Sequence, residues 1–309
     1  MLYKKIGSDR VSAIALGSGG FGSKVTNEVG FAIMDAYLAA GGNVIDTGRI
    51  YCGGRSEKMI GDFIKSRGVR DSVFLVTKGG HPALPTWERR ISRAELTRDL
   101  EESLAALGTE CIDLYFLHRD DDRLPVSEIM PILNDFVKAG KVRYIGASNW
   151  RAERINEANA FARENGMAEF ACSQILWNYT KVNKADIADQ TLVVMDGAEY
   201  EKYRENGIPV MGYTSLAQGF FDYYAKGEIP PALLRDYMND VTKARAEQLL
   251  LLSARTGITP TALSLNHLLY NDLAAIPVIG VSSVARLFDT LRVFDLPAED
   301  QDLFKKANK

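Results

Sequence analysis

Short apolar runs alternate with longer segments of helical period along the whole chain. Runs that are apolar on both faces are typical of parallel strands, and apolar residues that recur every three or four positions are typical of amphipathic helices. The alternation therefore predicts eight strands joined by helices. The predicted strands are residues 14–16, 43–46, 73–77, 112–117, 142–147, 170–175, 209–213 and 275–279.

Capping residues mark the ends of several helical segments. Ser92 is followed by Glu95 at the spacing of a capping box, and Gly108 supplies a stop at the other end of that segment. Thr259 followed by Pro260 predicts another helix start, because a capping side chain and a proline at the first helical position both suit an N-terminus.

Eight strand–helix units close naturally into a (β/α)8 TIM barrel, so we predict an α/β fold with one domain over residues 1–309. Residues 2–14 contain two alternating runs around Gly7-Ser8-Asp9, which predicts an N-terminal β-hairpin that caps the barrel floor. Two connections are longer than the rest: residues 179–207 after the sixth strand and 222–240 after the seventh. Connections of this length are usually lids, binding loops or disordered segments.

Composition and charge narrow the class of function. The chain is 46% apolar and 25% charged with a net charge of −3, which favours a small-molecule partner over nucleic acid or an anionic membrane. Cys52, Cys111 and Cys172 lie too far apart to suggest a disulfide framework or a zinc site. No apolar run reaches the ~18 residues of a membrane span, and no signal peptide is evident. We expect a cytoplasmic protein without a bound metal.

Polar residues whose side chains could take part in a reaction follow the predicted strands. In an α/β barrel the reactive groups lie at the carboxyl ends of the strands, so these side chains should converge on one mouth. They are Asp46, Tyr51, Lys78, His118, Ser148, Asn149, Gln174 and Tyr213.

At these positions the sequence resembles the aldo-keto reductase superfamily, over nearly the whole chain. The matching segments are Gly42-Asn43-Val44-Ile45-Asp46-Thr47, Tyr51, Ser56-Glu57, Val76-Thr77-Lys78, Leu117-His118-Arg119, Gly146-Ala147-Ser148-Asn149, Gln174 and Tyr213-Thr214-Ser215-Leu216-Ala217-Gln218-Gly219. The resemblance implies an NADP-dependent oxidoreductase that reduces an aldehyde, ketone or sugar-like carbonyl to an alcohol by hydride transfer.

The resemblance also implies a catalytic set of four residues. Tyr51 would donate the proton to the carbonyl oxygen as general acid, and Lys78 would lower the pKa of its phenol from about 10. Asp46 would hold Lys78, and His118 would orient the substrate oxygen.

A cofactor site follows from the same resemblance. It places Ser148, Asn149 and Gln174 around the carboxamide, Tyr213 against the nicotinamide ring, Thr214, Leu216 and Gln218 along the pyrophosphate, and Gly20, Phe21 and Asp46 beneath the cofactor. Gly280, Ser282, Arg286, Asp289 and Thr290 would meet the adenine end. A lysine common near Gly280 is missing and Asp289-Thr290 replaces the family's Glu-Asn pair, so NADP is favoured while NAD stays open.

Substrate contacts are expected from loops at the mouth. Besides Tyr51 and His118, we assign this role to Trp87 and Trp150, whose aromatic faces suit a sugar or a hydroxylated aldehyde or ketone. His81 is a further candidate on the same side.

Three alternatives stay open at this level. Gly17-Ser18-Gly19-Gly20-Phe21-Gly22 matches a dinucleotide-binding fingerprint, although the helical pattern begins only near Asn27. In function, the protein could be a nicotinamide-binding regulatory subunit with little turnover, or a sugar-modifying enzyme that uses the nicotinamide transiently. The sequence does not predict the natural substrate, the direction of reaction or the oligomeric state.

Overall fold

A two-stranded hairpin opens the chain, and eight parallel strands close behind it into a barrel in the computed structural model, which describes residues 1–301, 303 and 304. The hairpin strands are β1 (Tyr3–Ile6) and β2 (Asp9–Ser12), and the barrel strands are β3 (Ala15–Gly17), β4 (Val44–Asp46), β5 (Phe74–Gly79), β6 (Ile112–Leu117), β7 (Val142–Ser148), β8 (Phe170–Leu176), β9 (Val210–Tyr213) and β10 (Ala275–Ile279). The barrel strands pair in chain order and β10 pairs with β3, so the predicted (β/α)8 fold is confirmed. The dinucleotide-binding alternative is wrong, because the sheet is closed and the first helix begins only at Asn27.

Helices surround the barrel. They are α1 (Asn27–Ala39), α2 (Arg55–Arg67), α3 (Arg93–Leu107), α4 (Val126–Lys138), α5 (Ala152–Glu164), α6 (Gly197–Asn206), α7 (Phe220–Lys226), α8 (Pro231–Tyr237), α9 (Asp240–Thr256), α10 (Pro260–Ser264), α11 (Asn266–Leu269), α12 (Val284–Leu291) and α13 (Ala298–Gln301). The predicted caps are confirmed: Ser92 and Glu95 form a capping box, and Thr259 caps α10. Among the described residues, no helix has the length and apolar character needed to cross a membrane.

The hairpin closes the lower end of the barrel, as predicted. Ile6 and Val11 are fully buried and join the cluster of side chains that fills the barrel interior. Polar contacts fix the hairpin at its rim: the backbone N–H of Ser12 donates to Asn43 at 2.7 Å, and Arg143 pairs with Asp9 at 2.7 Å.

Side chains on the interior face of the barrel strands continue to the mouth of the barrel. Val44, Val76, Phe116, Cys172 and Met211 belong to the interior cluster. Successive side chains of a strand point to opposite faces, so the residue two positions further on shares the interior face. These next residues are Asp46, Lys78, His118, Gln174 and Tyr213.

The two long connections contain helical segments. Residues 179–207 include a 3-10 turn, Lys184–Asp186, and all of α6, while residues 222–240 include the end of α7 and all of α8. A bridge between Leu176 and Val194 ties the first connection to the barrel. Both connections are therefore ordered and partly helical rather than disordered. The predicted domain ends at residue 309, which lies outside the described residues.

Candidate active site

A buried ion pair lies at the centre of the mouth. The Lys78 ammonium donates to both carboxylate oxygens of Asp46, each at 2.8 Å, and to the carbonyl of Thr47 at 2.6 Å. Gln174 donates to the same carboxylate at 2.8 Å. Lys78 is 1% exposed and Asp46 is 3% exposed. Three hydrogen bonds from these two donors satisfy a carboxylate charge that would be costly to bury alone.

Tyr51 and His118 stand beside this pair. The Lys78 ammonium lies 5.0 Å from the centre of the Tyr51 ring, and the ring centres of Tyr51 and His118 are 5.7 Å apart at an angle of 75°. Gly48 permits this approach, since a Cβ there would lie 3.3 Å from the Tyr51 ring and 3.4 Å from His118. The structure thus brings the four predicted catalytic residues together: Asp46 and Lys78 lie on β4 and β5, His118 directly follows β6, and Tyr51 lies on the loop after β4.

Burial determines the protonation of the two rings. It raises the pKa of Tyr51 above its ordinary value of 10, and the positive charge of Lys78 offsets only part of that rise. Lys78 acts on the pKa of Tyr51 in the predicted direction, but burial outweighs it, so the pKa lies above 10. Burial and the neighbouring cations Lys78 and Arg119 hold the pKa of His118 well below 6.5, so its ring is neutral.

Lys78 keeps its charge despite its burial. Burial alone would lower the pKa of the ammonium, but the negative charge of Asp46 and the coupling to Tyr51 outweigh this effect and raise the pKa above 10.5. A permanent cation therefore faces the phenol of Tyr51 at neutral pH.

A network of polar side chains borders the other half of the mouth. Tyr213 donates from its hydroxyl to Asn149 at 2.7 Å, and the backbone N–H of Val193 donates to the same amide oxygen at 3.2 Å. The Asn149 amide nitrogen donates to the hydroxyl of Ser148 at 3.1 Å. These bonds fix the Tyr213 ring by its far end, and the ring stays partly exposed.

Non-glycine residues with left-handed backbone lie in loops at the mouth and beside it. Within the described part of the chain six of them have a positive φ: Cys52, Trp87, Asn149, Thr214, Ala217 and Gln218. All six lie on loops that follow the carboxyl ends of barrel strands. Backbone in this region is strained for most side chains, and such strain is concentrated at functional sites. Sequence reasoning missed this feature, because the residue types carry little signal for it.

The loop after β10 leads into the N-terminus of α12. Gly280 has open space beside it, since no atom lies within 4 Å of where a Cβ would stand. Ser282 and Arg286 are exposed near the start of α12, where free backbone N–H groups favour an anion. Asp289 accepts from Thr259 at 2.9 Å.

Three of the predicted contacts do not lie at the site. Thr290 is 5% exposed, and its hydroxyl donates back to the carbonyl of Arg286, so its side chain faces the core. The ring of Phe21 is likewise buried in the core next to Gly30.

Trp150 is fully buried, and its indole packs edge-on against Phe170 with the ring centres 5.3 Å apart. The left-handed turn at Asn149 redirects the chain there, so Trp150 points away from the mouth. Its predicted substrate contact is therefore corrected.

Trp87 and His81 border the mouth on the β5 side. Trp87 is 45% exposed, and its ring centre lies 6.1 Å from that of His81. The His81 ring in turn meets the His118 ring edge-on at 4.8 Å. The structure leaves Trp87 available to a substrate, and it brings His81 next to the catalytic set.

Arg119 is a buried cation that sequence reasoning did not place at the centre of the site. It donates to the His118 carbonyl at 2.8 Å, to Thr191 at 3.0 Å and to Asp189 at 3.0 Å. Its position directly after His118 was the only available signal. Among residues 1–301, 303 and 304, no three His, Cys, Asp or Glu side chains are grouped as metal ligands.

Comparison with known proteins defines the family of this barrel. The model of the Aldo/keto reductase family matches residues 13–309, so the chain belongs to that family and is an oxidoreductase. Members of the family use nicotinamide cofactors. The resemblance deduced from the motifs is confirmed.

Curated relatives carry reductase names. A norsolorinic acid reductase of Emericella nidulans is 28% identical over 320 residues, which cover 96% of this chain and 77% of that protein. Norsolorinic acid reductase B of Aspergillus parasiticus is 35% identical over 188 residues, covering 56% of this chain and 49% of that protein.

The fold is shared with a solved structure. The crystal structure of a thermostable aldo-keto reductase in complex with the inhibitor epalrestat matches with a TM-score of 0.73 at 24% identity. The match covers 99% of this chain and 100% of that one.

Proposed function

We propose that this protein reduces the carbonyl group of an aldehyde, a ketone or a sugar-like substrate with NADPH, and that Tyr51 donates the proton. The observation that supports the proposal best is the position of the Tyr51 phenol beside the buried Lys78–Asp46 pair. Tyr51 holds a proton at neutral pH, so it can supply it to an oxygen that becomes negative during reduction.

His118 and Lys78 would assist the proton transfer. The neutral His118 ring has one N–H group, which can donate to the substrate oxygen and hold it near Tyr51. After the transfer the phenolate is stabilised by the Lys78 ammonium, whose own charge is held by Asp46. A buried ion pair therefore acts on the proton donor rather than on the substrate.

The residues present fit a nicotinamide cofactor, which supplies the hydride when bound. The partly exposed Tyr213 ring is anchored through Asn149, so it offers a flat surface for the nicotinamide. Thr214, Ala217 and Gln218 have left-handed backbone, a conformation that occurs in the backbone turns that bind phosphate groups.

The adenine end supports NADP over NAD. The open space at Gly280 and the exposed Ser282 and Arg286 at the start of α12 suit an additional phosphate. We also propose the cytoplasm as the compartment, because Cys52, Cys111 and Cys172 are free thiols.

Replacement of Tyr51 with Phe tests the proton donor. A panel of carbonyl compounds is assayed through the absorbance of NADPH and of NADH, and Y51F should lose ~10²–10⁴-fold in kcat. Its affinity for NADPH, measured by fluorescence titration, should stay within twofold because the hydroxyl is not a cofactor contact in this proposal.

Tyr3→Phe is the matched control, since it removes a tyrosine hydroxyl on the hairpin at the opposite end of the barrel. If Y51F keeps the wild-type kcat, Tyr51 is not the proton donor. If the wild type binds NADPH but turns over none of the compounds, the regulatory role is favoured instead.

A further inference from the structure

A cavity of 240 Å³ adjoins the active site between the loop after β4 and helix α3. Its polar wall consists of Arg49, His81, Arg90, Arg98, Asp99 and Glu102, and Lys78 and Gly79 also border it. His81 lines the cavity and also contacts His118 edge-on, with the two ring centres 4.8 Å apart. Whole ligand pockets usually measure about 300–1,000 Å³, so this cavity suits one part of a substrate.

Ion pairs between arginines and carboxylates neutralise most of the charged side chains in the cavity wall. Arg49 donates to one oxygen of Glu102 at 2.7 Å, and Arg90 donates to Asp99 at 2.7 Å. The other oxygen of Asp99 accepts from the backbone N–H of Gly80 at 2.9 Å. These contacts neutralise two of the three arginines, so the wall has little excess charge for an anion.

The cavity wall also contains a hydrogen-bond donor and an acceptor that these ion pairs do not use. Arg98 is exposed, and no ion pair or hydrogen bond joins its side chain to another described residue. Glu102 receives both Arg49 contacts on a single oxygen, Oε2, so Oε1 is open.

His81 adds a second acceptor. Its Nδ1 lies 2.8 Å from the carbonyl oxygen of Pro82, which can only accept, so Nδ1 carries the hydrogen. Burial lowers the pKa of His81 and keeps the ring neutral, which leaves Nε2 as an acceptor.

We propose that this cavity binds the hydroxyl groups of a polyhydroxylated aldehyde or ketone whose carbonyl lies between Tyr51 and His118. A hydroxyl both donates and accepts, so it matches a wall where Arg98 donates and where Glu102 and His81 accept. An alkyl chain would desolvate these groups without giving them partners, which a site built for hydroxyls rejects strongly. Arg49 and Arg90 already pair with Glu102 and Asp99, so a phosphate or carboxylate would meet Arg98 without using the acceptors of the wall.

The proposal rests on the proposed carbonyl reduction and can be tested separately from it. Three four-carbon aldehydes serve as probes: butanal, erythrose and erythrose 4-phosphate. Arg98→Met should lower the ratio of kcat/KM for erythrose to that for butanal about tenfold, mainly through KM, because one hydrogen bond to a charged group is lost. His81→Phe should lower the same ratio, and His81→Asn, which keeps an acceptor, should recover part of it.

Arg93→Met is the matched control, because Arg93 lies on the same helix but pairs with Asp135 at 2.6 Å. It should leave the ratio unchanged. As a readout independent of turnover, binding of erythritol measured by saturation-transfer NMR should weaken in R98M and not in R93M.

The opposite results are equally clear. An erythrose to butanal ratio that is the same in R98M as in the wild type, or a preference for erythrose 4-phosphate that R98M abolishes, overturns the hydroxyl subsite. Turnover of butanal under those conditions leaves the proposed function intact. Absence of NADPH oxidation with every carbonyl compound tested removes the proposed function itself, and the subsite with it.

Discussion

Burial and the charge of Lys78 have opposite effects on the pKa of Tyr51. Burial raises the pKa of the phenol, and the neighbouring ammonium compensates only in part. This outcome suits reduction, in which the tyrosine must arrive protonated. With Tyr51 in its proposed role, the reverse reaction would need the phenolate, so the same environment would favour the reduction of carbonyls over the oxidation of alcohols at neutral pH.

This balance predicts the pH profile of kcat. Tyr51 is protonated below its raised pKa, so reduction should be constant through neutral pH and decline only above about pH 10, while alcohol oxidation should rise over that range. The pKa of His118 lies well below 6.5, so no step is expected near pH 6.5. Steady-state rates with saturating cofactor and substrate check both limbs, and a step at pH 6.5 would show that His118 titrates.

Among the elements, the connection between β8 and α6 depends on Arg119. Asp189 accepts from the backbone N–H of Thr191 at 2.9 Å and from Arg119, while Val193 donates to Asn149. The connection is thereby joined through Arg119 to the carbonyl of His118 at one end and to the Asn149 amide at the other. It therefore supports two residues of the candidate site.

Replacement of Arg119 with Met should loosen this connection. It removes three charge-assisted hydrogen bonds around a group that is 7% exposed, and each such bond contributes about 1.5–3 kcal/mol. We expect faster amide hydrogen exchange over residues 189–193 and a KM for the cofactor at least tenfold higher.

Arg123→Met is the comparison for this variant, because Arg123 is highly exposed and pairs only with Asp121. It should change neither quantity. Unchanged exchange in R119M would mean that the connection is held by Val193 and the bridge to β8 alone.

In the molecule as a whole, stability and chemistry lie at opposite ends of the barrel. The hairpin fills the floor with Ile6 and Val11, and the active-site residues stand at the mouth. Ile6→Ala should therefore reduce the free energy of unfolding by about 2–5 kcal/mol through the cavity that it creates. Its kcat and KM at a temperature where it is folded should equal those of the wild type.

Urea unfolding followed by circular dichroism measures this difference. Leu2→Ala is the control, because Leu2 is 46% exposed and surface changes are usually within about 0.5 kcal/mol. A large rise in KM for I6A would show that the floor and the mouth are coupled.

The sequence predicted the barrel from local pattern, and the family resemblance indicated Asp46, Tyr51, Lys78 and His118, which the structure brings together at the mouth. Apolar runs identify strands, and a polar residue two positions beyond an interior residue must point into the mouth, as Lys78 does after Val76. The sequence was less able to locate side chains beyond the strand ends. Trp150 follows a left-handed residue that turns it into the core, and no pattern announces such a turn.

The sequence also could not predict which charged groups pair with each other at the site. Arg119 was visible next to His118, but its partners Asp189 and Thr191 come from a connection some 70 residues away. Burial raises the pKa of Tyr51 and the nearby charge of Lys78 lowers it. The balance between these two effects is determined only by the packing of the barrel.

The six left-handed positions also set practical terms for redesign. Most side chains introduced at Thr214, Ala217 or Gln218 would keep or worsen a conformation that costs roughly 1–2 kcal/mol per residue, whereas glycine or asparagine would relieve it. Combinatorial libraries aimed at new substrates should therefore hold these positions constant and diversify the flanking side chains. Engineers would then spend their screening effort on clones that still fold.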